Sequence, residues 1–291
     1  MGFGGRPVRG PPHQFAGDPK PSQDARFNGG GVFRMTRVAA LLVTHNSGHM
    51  IAPTLASVLE QSRGPDLLIA IDDYSTDGTL NDLRESGFIT MQSTSTSLVP
   101  ETRIAQNFVQ GVRAAVAHGA EIVVLGDHDD VWHLNRVEHQ AKVLDSQESI
   151  AMVASDGFLI DEFGAAVPGT LRQTFPVPSD LMTLPPRKQW SFALRHSLAT
   201  GGASAIRPSA LTDWSVPPGW LHDRWWSLEA LRHEALMIDT TPVIDYRISS
   251  HQRVGLETAG QESAARWSRN KVKTLGVTSR RLGDLTRLIR S

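Results

Sequence analysis

Three carboxylates stand within four residues at Asp127-His128-Asp129-Asp130, and another stands far downstream in His222-Asp223-Arg224-Trp225-Trp226. Carboxylates crowded together repel one another and hold their protons, unless a hard divalent cation such as Mg2+ or Mn2+ shares their charge. A carboxylate standing apart can take a proton from a hydroxyl as a general base. Both groups also have a plainer reading. The first fits a solvated acidic turn with Asp130 capping the next helix, and Asp223 fits a helix N-cap. A further stretch, Asp72-Asp73-Tyr74-Ser75-Thr76-Asp77-Gly78-Thr79, can offer carboxylates to a base or ribose. It can equally be a turn and helix start, since Asp77-Gly78 is a strong turn signal.

These residues need elements to position them. Val38–Val43, Leu67–Ile71, Glu121–Leu125 and Ile150–Ala154 are short continuous apolar runs. Such runs are expected of strands buried on both faces. Helical spacing appears at Met50–Glu60, Ile104–Ala117, Leu134–Leu144 and Arg224–His233, and Ala235–Ile238 reads as a late strand. Alternation of this kind predicts βαβ units and a mostly parallel sheet flanked by helices. In such sheets ligands bind outside the carboxyl ends of the strands. Asp72-Asp73 and Asp127–Asp130 each follow a strand, and Thr44-His45-Asn46 follows the first, so all three turns should share one edge. Residues 168–190 interrupt the pattern with five prolines and form a long connection.

The 291 residues suffice for one large α/β domain with appendages. A net charge of −1 gives no global field to attract nucleic acid. With no cysteine, disulfides, thiolate metal sites and cysteine nucleophiles are excluded. No apolar run approaches the roughly 20 residues of a membrane-spanning helix, and the N-terminus lacks the apolar centre of a signal peptide. A cytoplasmic protein is the default expectation. Residues 1–34 are rich in Gly and Pro and read as a disordered extension, with Met35 as the expected translation start. Residues 257–291 form a basic, helix-compatible tail. It reads either as a helix lying on an anionic membrane or as a solvated helix packed on protein. Its basic residues are not interleaved with aromatics beyond Trp267, which argues against a nucleic-acid partner.

In order, the stretches LLVTHNSGHMIAPTLASVLEQS, IDDYSTDGT, LGDHDDVWHLNRV, SDGFLIDEFGAAV, GWLHDRWWSLEA and DYRISSHQRVGL resemble the motifs of family 2 glycosyltransferases. That family has the GT-A fold, a Rossmann-like, mostly parallel sheet flanked by helices, which places the domain at 35–256. SDGFLIDEFGAAV is similar to the rhamnosyltransferase-like branch. The resemblance implies a nucleotide-sugar donor, a glycan or lipid-linked acceptor, and Mg2+ or Mn2+ as cofactor. It places Asp72 and Asp73 on the base and ribose, with Thr44 and Asn46 in the first nucleotide-binding turn. Asp127 then contacts the nucleotide-sugar and joins the metal ligands, Asp129 is the main metal ligand, and Asp130 supports the sugar or the metal shell. Asp223 becomes the base, and Tyr246-Arg247 closes over the diphosphate. Two departures are visible. Tyr74 stands where the family often has Gly. Ser249 stands where it has His, leaving His251 as the substitute metal ligand.

One base and no enzyme nucleophile imply a single displacement with inversion. Two other readings remain. A sugar nucleotidyltransferase shares the sheet and Mg2+ but needs a Gly-rich basic loop after the first strand, where this chain has THNSGHM. A non-catalytic nucleotide- or carbohydrate-binding protein would need neither the carboxylate cluster nor Asp223.

Overall fold

The structure, a computed structural model, describes Met1 and residues 35–211, 214–248 and 283–288. The expected disordered extension, most of the basic tail, and the segment carrying Ser249 and His251 lie outside the described residues.

The strands are β1 (Val38–Thr44), β2 (Leu67–Asp72), β3 (Ile89–Gln92), β4 (Ile122–Asp127), β5 (Val131–Trp132), β6 (Met152–Ile160), β7 (Ala166–Thr170), β8 (Ser204–Ile206) and β9 (Leu236–Arg247). The helices are α1 (Ile51–Leu59), α2 (Thr79–Glu85), α3 (Pro100–Ala117), α4 (Arg136–Ser146), α5 (Leu171–Thr174), α6 (Pro186–Ala193) and α7 (His222–Arg232). One sheet runs β3-β2-β1-β4-β8-β6-β9-β5, with β7 on β6. Its β3-β2-β1-β4 half is parallel. Beyond β4 it is mixed: β8 is antiparallel to both neighbours, β9 runs parallel to β6, and β5 is antiparallel to β9.

All seven residues of β1 are buried, as expected of a central strand covered on both faces. Alternate side chains feed two cores. Leu41 and Val43 join Phe108 and Val112 of α3 and Trp226 of α7 on one face. Ala40 and Leu42 join Ile51 and Leu55 of α1 and Val137 and Leu144 of α4 on the other. Each fully buried aliphatic side chain contributes roughly 1.5–3 kcal/mol. Gly111 lets α3 lie against β1, because a Cβ there would collide with the Leu41 side chain.

The register aligns the carboxyl ends. Thr44 pairs with Asp72, and Val43 pairs with Asp127. The turns after β1, β2 and β4 therefore share one edge.

The expected elements are present with shifted bounds. The last strand runs to Arg247 rather than stopping near residue 238, because β5 and β6 give it two hydrogen-bonding neighbours. The connection over 168–190 holds α5, closed by a Thr170–Gln173 capping box, and most of α6. The tail is helical over residues 283–288, where Leu285 and Leu288 pack on the core that holds Trp226. Trp220 donates its indole N–H to Asp284 at 3.3 Å.

Candidate active site

The four carboxylates singled out by residue type converge. Asp127 ends β4, Asp129 and Asp130 follow in the tight turn to β5, and Asp223 lies in the first turn of α7. The capping alternatives do not hold. Helix α4 starts at Arg136 with Asn135 as its N-cap, and α7 has Leu221 at its N-cap with no side-chain cap bond.

A strip at Gly201-Gly202 separates the two groups. The Gly201 N–H donates to Asp223 Oδ2 at 2.9 Å, and Asp223 Oδ1 accepts from the Arg224 N–H at 2.6 Å. A Cβ on Gly202 would collide with Asp130 Oδ2 and lie 3.0 Å from Asp127 Oδ2. A Cβ on Gly201 would lie 2.6 Å from His222 Nε2. Only glycine lets the backbone pass between these side chains.

Burial and mutual repulsion govern the charges. Burial pushes Asp127 up to about 7, helped by the charges of Asp129 and Asp223 and opposed by Arg136 and the Gly202 N–H. Burial raises Asp130 well above the usual carboxylate range, with Asp129 and Asp127 adding to it. Burial alone lifts Asp223 to about 6 against its backbone hydrogen bonds. His222 is stacked 3.6 Å from the Phe108 ring, and burial drives it down to about 3, so it is neutral.

Two arginines frame the cluster from behind. Arg136 is fully buried, lies 4.0 Å over the Trp132 ring and donates to the Leu125 carbonyl at 2.6 Å. Its Nε donates to Gln140 Oε1, and Gln140 in turn donates to the Ala203 carbonyl at 2.9 Å. The pair thus ties the glycine strip to the end of β4. Arg247 is also buried. Its backbone N–H donates to Asp130 Oδ1 at 3.0 Å, its Nε to the Asp129 carbonyl at 2.8 Å, and its Nη1 to the carbonyls of Asp161 and Glu162. These bonds make Arg247 a brace for the acidic turn.

The turns after β1 and β2 are cross-laced. Asp72 is buried and accepts from Thr44 Oγ1, Ser75 Oγ and the Ser75 N–H. It shapes the turn rather than facing outward. Asp73 stands in a two-pronged ion pair with Arg103 of α3. The Asn46 amide accepts from the Thr76 N–H at 2.8 Å.

The donor set suits a hard cation. It is all oxygen, and Asp130 Oδ2 is buried with no hydrogen-bond partner. Among the described residues no three acidic or His side chains form a preformed cage. Mg2+ and Mn2+ need none when one or two carboxylates act together with substrate phosphates.

Residue types alone single out neither the glycine strip nor Arg136. Two signals were present. A Gly-Gly pair marks a close backbone approach. Arg136 and Gln140 sit at i and i+4 beside the apolar stripe of their helix.

A parallel half joined at β4 to a mixed half, flanked by helices, matches the fold of the GT-A glycosyltransferases. Residues 40–179, slightly under half of the chain, match the family model described as Glycosyl transferase family 2. No curated protein sequence is similar enough to count as a match. Among solved structures, glucosyl-3-phosphoglycerate synthase from Mycobacterium tuberculosis, in complex with Mn2+, UDP and glucosyl-3-phosphoglycerate, is similar at a TM-score of 0.52 and 20% identity. The match covers 77% of this chain and 75% of that one. S. aureus TarS 1–349 in complex with UDP-GlcNAc is similar at a TM-score of 0.52 and 17% identity, covering 78% of this chain and 62% of that one. These likenesses show the fold. Together with the family match they support a glycosyltransferase that uses a nucleotide-sugar.

Proposed function

We propose that the protein is an inverting, metal-dependent glycosyltransferase that moves a sugar from a nucleoside-diphosphate donor to a hydroxyl of a glycan or lipid-linked acceptor. The observation that carries this reading is the position of Asp223, held across the Gly201-Gly202 strip from Asp127 and Asp130. Breaking the bond between the anomeric carbon and the diphosphate builds negative charge on the leaving group. Asp129, with Asp127 and Asp130 in support, would hold a divalent cation, which would supply Lewis-acid stabilisation of that charge. Asp223 faces the acceptor side. It remains partly accessible and takes the proton of the attacking hydroxyl, with its two backbone donors fixing the carboxylate. Attack opposite to the leaving group in one step inverts the anomeric centre.

The turn after β1 counts against the nucleotidyltransferase. Its N–H groups at Asn46, Ser47 and Gly48 are already donated to Ser75, Thr79 and Asp77. They are not free to cradle a triphosphate.

Among the described residues no helix is long and apolar enough to cross a membrane. A cytoplasmic site of action is part of this proposal. So is deoxythymidine-diphosphate rhamnose as the donor, which rests on the SDGFLIDEFGAAV stretch.

The direct test is a panel of nucleotide-sugars with Mn2+ or Mg2+, scored for metal-dependent donor turnover and for anomeric configuration by NMR. One donor should be turned over, with inversion. A retained configuration, or turnover undiminished by a chelator, would overturn the mechanism. A panel with no turnover at all would favour the non-catalytic reading.

Gly202→Ala gives an independent prediction. The added methyl must displace the Asp130 carboxylate, which cannot swing freely because it is tied to the Arg247 N–H. A displacement of about 1 Å at a reacting centre costs about 10²-fold. Turnover should fall by about that factor with a folded circular-dichroism spectrum, and wild-type turnover would show that the strip does not set the site.

A further inference from the structure

At the nucleotide edge one residue keeps a costly conformation with no structural return. Tyr74 has a φ of +58°, in the left-handed region where a bulky side chain is strained. The residue is 51% exposed, so burial does not offset the strain. The backbone around it is held on both sides. The Asp73 N–H donates to the Thr44 carbonyl at 2.8 Å, and the Asp73 carbonyl lies 2.7 Å from His45 Nδ1. On the other side the Ser75 N–H and hydroxyl both donate to Asp72. The turn imposes positive φ, and glycine would meet that demand without strain.

The neighbours of Tyr74 are equally specific. Arg103 reaches from α3 and grips Asp73 through Nε and Nη2, each at 2.5 Å. This spends the Asp73 charge and fixes the guanidinium plane, leaving its other edge at a partly exposed surface. Tyr74 lies near the Arg103 guanidinium. An exposed aromatic ring beside a fixed guanidinium, with the carboxylate already neutralised, offers flat polarizable faces. The ligand chemistry that matches is a planar heteroaromatic ring.

We infer that Tyr74 is a nucleobase-stacking residue, retained against backbone strain, with the Asp73–Arg103 pair setting the platform beside it. The inference rests on the donor reading above and deepens it by naming the side chains that hold the base.

The test compares the wild type with Tyr74→Gly and Tyr74→Phe by calorimetric titration of UDP, dTDP, CDP, GDP and ADP in Mn2+, with inorganic pyrophosphate as the base-free control. Stacking contributes about 5- to 150-fold per base on alanine truncation. Tyr74→Gly should weaken the nucleotides that the wild type binds by about 10-fold or more within that range. Tyr74→Phe should keep their affinity, and pyrophosphate should bind all three proteins alike. The melting temperature of Tyr74→Gly should not fall, because relief of the strained φ opposes the added chain entropy. Equal nucleotide affinity in Tyr74→Gly and wild type would overturn the stacking role and leave the donor reading intact. Equal loss of pyrophosphate binding would also overturn it, by tying the defect to the whole site. If the wild type binds no nucleoside diphosphate, the donor reading fails and this inference fails with it.

Discussion

Asp223→Asn should abolish sugar transfer and leave donor affinity unchanged. The amide keeps one oxygen to accept the Gly201 or Arg224 N–H, so the start of α7 and the glycine strip stay in place. What is lost is the ability to accept a proton. General-base removal costs about 10²- to 10⁴-fold in kcat. The same assignment sets the pH profile. Burial lifts the Asp223 carboxyl to about 6, and the reaction needs the carboxylate. Activity should therefore fall about tenfold per pH unit below that value, and level off above it until another group titrates. The variant should lose this acid limb. Steady-state turnover between pH 4.5 and 8, with donor titration in parallel, decides the matter. An Asn variant with wild-type kcat, or one with the acid limb intact, would remove Asp223 from the chemistry.

Asp129→Ala carries the second large effect. The Asp129 contribution to the brace is its backbone carbonyl, which accepts from Arg247 Nε. Alanine keeps that bond, so the acidic turn should hold its shape. Loss of a ligand from a cation that offsets diphosphate charge removes several kcal/mol, which is about 10²-fold or more in donor affinity. Titration of UDP and dTDP with Mn2+, and again with a chelator, should show the metal-dependent part of binding disappear. The metal-independent part, owed to the turns after β1 and β2, should remain. Unchanged metal dependence would place the cation elsewhere in the cluster.

The sequence was most readable where chemistry or burial was concentrated. The runs in β1, β2 and β4 are apolar at consecutive positions because both faces are covered, and they were placed almost to the residue. β3 and β8 are short, four and three residues, and carry no such run. Their strand character comes from their neighbours in the sheet, which a linear pattern cannot show. The carboxylates of the site were found by type and spacing. The glycine strip was not, because its function is to be small and a glycine looks alike in any turn. The bracing bonds of Asp72 and Arg247 were not legible either, for a physical reason. A buried polar group must be satisfied, and both residues meet that need by gripping the backbone of the turns that carry the site.

The Arg247 brace also bears on the order of folding. Its bonds to Asp130 and Asp129 span 117 and 118 residues of chain. Contacts that distant form late, since long loops must close first. The parallel half, β1 through β4, can assemble from local βαβ units before β9 arrives. Until then the acidic turn lacks the Arg247 bonds and is tied to α1 through the Thr54 hydroxyl on the His128 carbonyl at 3.2 Å. A chain still emerging from the ribosome would hold the edge formed by β1, β2 and β4 before it holds the braced cluster, which must wait until β9 has been made.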